Sequence, residues 1–417
     1  MKAIKSVIFG SLTAAWVACS TPATHELQVG NWRGEFILDN HQVPFNFVVE
    51  DDTTALVKVF LTNADEKAPL DSIYYQGDSV ILPIKVYDAV LIAKVESDSL
   101  KGFFRKNQSA KQGIPFRAAR NQSHRFQVKD STFSRSVAGK WSVNLITEKD
   151  GKSTSRYTVG LLEQQGNNLT GTLLTTTGDY RYWEGVPDGN QIKLSAFSGS
   201  NPNLIQASLV DSIHFRGELV SAGGRTILEA VKSDTAKLPD PYSLTYLKPG
   251  HDRLSFSFPN LQGKQVSLSD ERYKGKVVVL NLSGSWCPNC VDEASFLAPW
   301  YNANKNRGVE VLTLSFERKD DFQFAKERIT TFKKRFGRQD EVLFAGIADK
   351  KIVAEKLPEL NTFLSFPTTL FIDKNGKVRK VHTGYTGPAT GKYYQEFISA
   401  FNAEVDALLN EQNSSGI

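Results

Sequence analysis

The sequence predicts a multidomain protein in which two all-β modules, each a small barrel or sandwich, precede an α/β domain. Its 417 residues exceed what a single hydrophobic core usually organises. Residues 27–120 and 138–232 contain short runs with period-2 alternation separated by Gly, Asn and Asp, which is typical of half-buried strands. From residue 253 onward, aliphatic runs alternate with segments of helical spacing, which is typical of an α/β fold.

Residues 1–19 predict an export signal. Lys2 and Lys5 give a positive start, an apolar run of about 11 residues follows, and small residues precede Cys19. That run is shorter than the ~20 residues that a membrane-spanning helix needs. Because its Val-Ala-Cys-Ser ending is similar to a bacterial lipobox, we expect Cys19 to be lipidated and to become the mature N-terminus. The alternative is an ordinary secretory signal cleaved near Cys19.

The two β regions, module 1 (27–120) and module 2 (138–232), resemble each other. Module 1 opens with GNWRGEF and module 2 with GKWSVNL, so that Trp32 corresponds to Trp141. Near their ends, ESDSLKGFFRK of module 1 aligns with LVDSIHFRGEL of module 2. In this alignment Gly102 corresponds to Gly217. A duplicated unit explains both matches. Each copy, at ~90 residues, has room for about eight strands of typical length.

The alternation within a strand also predicts which face is buried. In IHFRGELV, one face carries Ile213, Phe215, Gly217 and Leu219, and we expect this face to lie against a core. The stretches 121–137 and 233–252 are interpreted as linkers between the domains, and the second is rich in proline.

The α/β domain is predicted to span residues 253–412. The runs at 277–283 and 309–316 are continuously β-branched or aliphatic, as expected for strands buried on both faces. The segments 320–336 and 393–409 have apolar residues at helical spacing and predict amphipathic helices.

Two of the three cysteines, Cys287 and Cys290, lie together in SGSWCPNCVDEASFLAPW. The buried strand before them and the helix after them would place Cys287 at a helix N-terminus, where backbone N–H groups stabilise a thiolate. Cys290, one turn later, could then resolve a mixed disulfide. A disulfide across so short a loop adds little stability, so the pair indicates redox chemistry. Zinc is the competing interpretation, but it usually needs two more ligands, and the six histidines are scattered, so we predict no metal site.

The segment from FSFPNLQGK to WCPNCVDE resembles the start of a TlpA/ResA-type thioredoxin-like domain, a group related to the AhpC/TSA redoxins. Downstream, FPTTLFIDKNGKVRKVHTGY is similar to the proline-containing strand, turn and following strand of that family. The resemblance covers residues 253–412. It implies a thioredoxin-like fold, a redox-active Cys287–Cys290 disulfide and no bound cofactor.

The resemblance also assigns site residues. It implies that Glu293 is the active-site glutamate that handles the proton of the resolving thiol, and that the bond before Pro367 is cis and faces the cysteines. Asn281 stands where thioredoxins have a buried aspartate, and an amide cannot take a proton, so the proton role falls to Glu293. The remaining residues expected to shape the site or bind substrate are Trp286, Pro288, Asn289 and Phe366.

We interpret the protein as an envelope thiol-disulfide oxidoreductase that reduces protein disulfides. No histidine lies between the cysteines, and Glu293 disfavours a neighbouring thiolate, which argues against a strong oxidant. A disulfide oxidase or isomerase is the alternative. Related peroxidases need Pro and Thr or Ser before the cysteine, where this chain has Leu280 and Gly284. In a different class of hypothesis, the β modules carry the main role by binding a ligand or partner, or they are spacers.

The expected partners follow from this interpretation. A net charge of +5, without long basic runs, does not suggest nucleic acid. A reductase needs an oxidised protein substrate, for which an apocytochrome c in cytochrome c maturation is one candidate, and a membrane dithiol that donates electrons. We expect a lipid-anchored protein of a bacterial cell envelope, facing the periplasm, with the choice of membrane left open.

Overall fold

The computed structural model describes residues 26–53, 57–106, 112–131 and 135–411. The predicted signal segment and Cys19 lie outside these residues. The predicted fold class is confirmed, because two β-rich domains precede an α/β domain with a thioredoxin-like sheet. No helix within the described ranges is long and apolar enough to cross a membrane.

Module 1 is an open antiparallel sheet, curved into half a barrel. Its strand order is β4-β3-β2-β1-β9-β8-β7-β6-β5, so β4 and β5 form the two edges. The strands are β1 (Gly30–Leu38), β2 (His41–Glu50), β3 (Lys58–Asn63), β4 (Glu66–Pro69), β5 (Tyr74–Gln76), β6 (Ser79–Ile84), β7 (Ala89–Glu96), β8 (Ser99–Lys106) and β9 (Ile114–Arg120).

Module 2 is a closed eight-stranded barrel. The long strand β11 pairs with β10 on one side and, through residues 159–165, with β12 on the other, and this second pairing closes the sheet. The two-residue β13 lies outside the ring. The strands are β10 (Gly139–Lys149), β11 (Lys152–Gln165), β12 (Asn168–Thr175), β13 (Gly178–Asp179), β14 (Trp183–Asp188), β15 (Gln191–Ala196), β16 (Asn203–Leu209), β17 (His214–Ser221) and β18 (Gly224–Lys232).

The residues that suggested a duplication have matching surroundings. Trp32 and Trp141 are both fully buried, and the indole N–H of each donates to the carbonyl oxygen four residues earlier, at 2.9 Å. A Cβ on Gly102 would lie 1.9 Å from a carbonyl oxygen of the adjacent strand, and a Cβ on Gly217 would lie 2.1 Å from one. Both positions therefore require glycine for close strand approach. These matches support the duplication, which stays a prediction.

Other domains fill the open side of module 1. Phe197 of module 2 is 1% exposed and packs edge-on against Phe36 and Phe104, with ring centroids 4.7 and 5.1 Å apart. Val291 and Phe332 of the α/β domain join the same core. Module 1 therefore completes its core only in contact with its neighbours, because an open half-barrel has apolar surface that must be covered.

The α/β domain has a five-stranded sheet in the order β23-β22-β21-β24-β25, preceded by a small hairpin. β21, β22 and β23 are parallel, and β24 and β25 are antiparallel to their neighbours. Its strands are β19 (Phe258–Pro259), β20 (Gln265–Val266), β21 (Val277–Ser283), β22 (Val309–Glu317), β23 (Glu341–Ile347), β24 (Thr368–Ile372) and β25 (Val378–Thr383). Its helices are α1 (Pro288–Asn304), α2 (Phe322–Phe336), α3 (Lys350–Lys356) and α4 (Lys392–Asn410).

The predicted helices and strands of this domain lie close to their expected bounds. The run at 277–283 coincides with β21, and every residue of that strand is buried. Helix α2 begins two residues later than its pattern, because Asp321 is the N-cap and accepts a hydrogen bond from the Phe324 amide at 2.7 Å.

One expectation needs correction. Ile213 was expected on a buried face, but it is 46% exposed, because β17 starts only at His214 and Ile213 lies in the preceding turn. The two predicted linkers stay predictions, and each of them contains buried residues. Arg125 in the first of them is 3% exposed, donates to the Thr62 carbonyl at 2.8 Å and pairs with Glu184 at 3.0 Å, so it joins module 1 to module 2.

Candidate active site

The dithiol lies at the junction between β21 and α1, as the sequence predicts. Cys287 has extended backbone angles and is the N-cap of α1, with Pro288 in the first turn. Its sulfur accepts a hydrogen bond from the Cys290 amide at 3.3 Å and lies 3.5 Å from the Phe366 carbonyl oxygen. Both cysteines are free thiols in the structure, 5% and 1% exposed respectively. The disulfide between them stays a prediction.

The two sulfurs differ in their surroundings. Cys287 is at the end of the helix, where an N–H group faces its sulfur. Cys290 is inside the first turn and is deeper, so burial raises its pKa well above the ordinary range, and the charges of Cys287 and Glu293 raise it further. The thiolate form is therefore disfavoured at Cys290, which fits a thiol that reacts second.

Glu293 is buried beside this pair rather than solvated on the helix surface. It is 4% exposed, and its two oxygens accept hydrogen bonds from the Asn281 amide at 2.6 Å and from the Thr369 hydroxyl at 2.8 Å. Burial raises the pKa of Glu293 to about 7, although both hydrogen bonds oppose the shift. The carboxyl group can therefore exist in both protonation states near neutral pH. Asn281 and Thr369 hold the carboxyl group from β21, the central strand, and from its neighbour β24.

The Phe366–Pro367 bond is cis and lies across from Cys287, as the resemblance implied. Pro367 is buried, and its carbonyl oxygen accepts a hydrogen bond from the Gly384 amide at 2.9 Å. The Phe366 ring meets Trp286 edge-on at 5.8 Å, and the Trp286 indole donates to the Phe316 carbonyl at 3.0 Å. These contacts fix the wall of the site on the side of Trp286.

A second buried carboxylate, missed in the sequence, supports the loop before Cys287. Glu317 is 1% exposed and accepts hydrogen bonds from the Ser285 amide at 3.1 Å, from its hydroxyl at 2.7 Å and from the Ser315 hydroxyl at 2.7 Å. Burial raises its pKa. The sequence signal that could have indicated Glu317 was its position directly after the apolar run at 309–316.

An ion-pair cluster connects the active-site helix to both β modules, and sequence reasoning missed it too. Arg181 of module 2 lies 3.0 Å from Asp292 of α1 and 2.5 Å from Glu66 of module 1. All three side chains are mostly buried, with 14%, 12% and 8% exposed. Burial raises the pKa of Asp292 to about 7, while Arg181 opposes that shift. No local pattern predicts this cluster, because its members are far apart in the chain.

Module 2 also touches the loop between the cysteines. A Cβ on Gly178 would lie 1.9 Å from Asn289 Nδ2, so the Asn289 side chain rests directly on that glycine. The next residue, Asp179, accepts a hydrogen bond from the Gly387 amide at 2.6 Å, on the loop after β25. The turn at residues 175–179 therefore sits between the Cys-Pro-Asn-Cys loop and the loop beyond β25.

Within the described ranges, no group of three or more His, Cys, Asp or Glu side chains is placed to hold a metal ion.

The predicted site residues of the α/β domain lie close together. Cys287, Cys290 and Glu293 line one end of α1, and Trp286, Phe366 and Pro367 surround the first sulfur.

Comparison with known proteins agrees with this geometry. The AhpC/TSA family profile matches residues 249–381. The thiol-disulfide oxidoreductase ResA of Geobacillus thermodenitrificans (strain NG80-2) is 34% identical over 149 residues, which cover 34% of this chain and 72% of that protein. ResA of Bacillus subtilis (strain 168) is 30% identical over 166 residues, which cover 40% of this chain and 79% of that protein.

Among solved structures, a thiol-disulfide oxidoreductase from Bacteroides fragilis NCTC 9343 aligns over 35% of this chain and 99% of its own, with 23% identity and a TM-score of 0.27. The family assignment depends on the two ResA proteins, because the alignment with each of them covers more than two thirds of its length. All of these matches fall short of the whole chain. Through its C-terminal domain, the chain belongs to the ResA family of thiol-disulfide oxidoreductases.

Proposed function

We propose that this oxidoreductase is a reductase of protein disulfides in the bacterial envelope, with Cys287 as the attacking thiol and Cys290 as the resolving thiol. The observation that carries the proposal is the asymmetry of the pair. Cys287 caps α1 and accepts an N–H group, whereas burial raises the pKa of Cys290. A nucleophile needs its thiolate form first, and the resolving thiol needs it only after the mixed disulfide has formed.

The reaction then has two exchange steps. The Cys287 thiolate attacks one sulfur of the substrate disulfide, that disulfide breaks, and the released substrate thiolate takes up a proton. The Cys290 thiol loses its proton and its sulfur attacks Cys287, which frees the second substrate thiol and leaves the Cys287–Cys290 disulfide. Two electrons have passed from the protein dithiol to the substrate, and a further dithiol must reduce the protein again.

Glu293 is the proposed acceptor of the Cys290 proton. Its pKa of about 7 suits a general base at neutral pH, because a base is most effective when its pKa lies near the working pH. Its charge also acts on Cys290, as the raised pKa of that thiol records. When Glu293 takes the proton, this repulsion ends and the Cys290 thiolate becomes easier to form.

The reducing direction is supported by the residues between the sulfurs. Pro288 and Asn289 carry no positive charge, so the reduced dithiol lacks the cation that over-stabilises the thiolate of a strong oxidant. We expect the Cys287/Cys290 couple to have a reduction potential at or below about −250 mV, as thioredoxin-type reductases do. Equilibration in dithiothreitol buffers measures it. A potential near about −120 mV would indicate a disulfide-forming oxidant, and a pair that never cycles would exclude the enzyme.

The envelope location is supported by the N-terminal sequence. The lipobox-like ending at Cys19 predicts a lipid anchor, which would place the oxidoreductase where disulfides form. The electron donor would then be a membrane dithiol, and an oxidised envelope protein such as an apocytochrome c would be the substrate. Incorporation of labelled palmitate into the protein, and its loss in Cys19→Ser, tests the anchor.

A further inference from the structure

We propose that the mouth of the module 2 barrel is the binding site for the polypeptide segment that flanks the substrate disulfide. The inference rests on the proposed function, because it names how that reductase would hold its substrate. It assigns module 2 a part in the active site, in place of a spacer role.

The site is a cavity of about 530 Å³ between the barrel and the Cys-Pro-Asn-Cys loop. Pockets of about 300–1,000 Å³ hold drug-sized ligands, so this cavity has room for a few residues of an extended peptide. Barrel residues at its mouth include Arg156, Tyr180, Ser200, Asn203 and Ser221. The opposite wall is Pro288 and Asn289. Because Pro288 directly follows Cys287, a peptide bound in this cavity lies next to the residue that carries the attacking sulfur.

Two polar atoms at this cavity lack a partner. In the part of the chain that the structure describes, neither Asn289 Oδ1 nor Arg181 Nε has a hydrogen bond, and both atoms are buried. Buried polar groups are almost always paired, so each unpaired one needs an explanation. One is an acceptor and the other is a donor, and a peptide group offers the complementary N–H and C=O. Both residues line the same cavity.

The rest of the lining favours a peptide over an apolar ligand. Serine, threonine and asparagine side chains of the barrel mouth present hydroxyl and amide groups, which bond to backbone regardless of the substrate's side chains. The charge of Arg181 is engaged by Glu66 and Asp292, whereas Arg156 is exposed at the rim and donates to the neutral Tyr180 hydroxyl. Most polar groups of the cavity are therefore neutral donors and acceptors, which suits a peptide backbone better than a small anion.

The test compares two disulfides in single turnover, with the reduced protein as the only electron source. One is a synthetic octapeptide closed by a disulfide between its two cysteines, and the other is bis(2-hydroxyethyl) disulfide, which has no peptide groups. Ala222→Trp narrows the cavity from an exposed turn between β17 and β18. Val210→Trp, at the opposite end of the barrel and 68% exposed, is the matched control.

We expect Ala222→Trp to lower the rate constant for the octapeptide about tenfold or more, since misplacing a bound group slows its reaction. Its rate with bis(2-hydroxyethyl) disulfide should change less than about twofold, and Val210→Trp should change neither. The inference would be overturned if the two variants reduced the octapeptide at equal rates. It would also be overturned if Ala222→Trp slowed the reduction of both disulfides equally. If the unsubstituted protein reduces neither disulfide, the proposed function has failed instead.

A second measurement needs no change in the cavity. Cys290→Ser traps the octapeptide on Cys287 as a mixed disulfide, and a benzoylphenylalanine next to the peptide cysteine is then photo-crosslinked. Cross-links to Ser200, Asn203 or Ser221 support the site. Cross-links confined to the side of Trp286 and Phe366 would overturn it.

Discussion

The most informative single change is Glu293→Gln, because it separates the stability cost of this buried acid from its role in catalysis. The side chain is 4% exposed and its pKa is raised by burial to about 7, against an ordinary value of 4.5. That gap of pKa corresponds to about 3–4 kcal/mol, at about 1.4 kcal/mol for each pH unit. Glutamine has nearly the same shape and never ionises, so it removes the cost.

Proton linkage determines whether the folding stability rises or falls with pH. Between pH 4.5 and about 7 the unfolded chain has released the Glu293 proton while the folded protein keeps it, so folding stability falls as pH rises through this window. Below pH 4.5 both forms are protonated and the glutamine gains nothing. We therefore expect Glu293→Gln to match the unsubstituted protein at pH 4 and to exceed its free energy of unfolding by up to about 3–4 kcal/mol at pH 8.5.

The hydrogen bonds permit this outcome. The glutamine oxygen can accept from Asn281, as one carboxyl oxygen does at 2.6 Å, and its amide can donate to the Thr369 hydroxyl oxygen in place of the present bond. Neither partner is left unpaired, so the substitution isolates the charge.

Urea unfolding of the reduced protein at pH 4 and pH 8.5 measures the effect, with Glu355→Gln on α3 as a control at an exposed glutamate. The same variant should slow the resolution of the Cys287 mixed disulfide by about 100-fold at pH 7, because it lacks the proton acceptor. A stability difference that is the same at both pH values, or a loss at pH 8.5, would refute the reasoning about burial. Unchanged resolution would refute the proton role alone.

Three further predictions address other groups. Iodoacetamide should label Cys287 well before Cys290 in the reduced protein, because burial raises the pKa of Cys290, and mass mapping of the modified peptide reads the order. Arg181→Met should lower the free energy of unfolding by about 3–5 kcal/mol, since it leaves Glu66 and Asp292 buried without their cation, and urea titration would disprove this with a loss below about 1 kcal/mol. Burial lowers the pKa of His382 to about 4, so stability should fall as pH drops from 6.5 to 4, and His382→Gln should flatten that part of the pH profile. An unchanged profile would contradict the third prediction.

The sequence by itself predicted the features that depend only on residues close together in the chain. Period-2 alternation marked the β modules, and the continuous apolar run at 277–283 marked β21, because both patterns depend only on neighbours along one strand. The strand-to-helix position of Cys287 was readable for the same reason, since the N-cap role needs only the chain on either side of it. Glu293 was assigned through the family resemblance, which its place one turn after Cys290 agrees with.

What the tertiary structure decided depends on groups far apart in the chain. The pKa of Glu293 is set by burial against strands β21 and β24, which a helical position alone does not specify. Module 2 closes because β11 is long enough to pair on both sides, whereas module 1 stays open and is completed by Phe197. The Arg181 cluster joins three domains, and its energy comes from long-range burial and charge. Local patterns fix the elements, but only the packing of whole domains brings the barrel mouth to the dithiol.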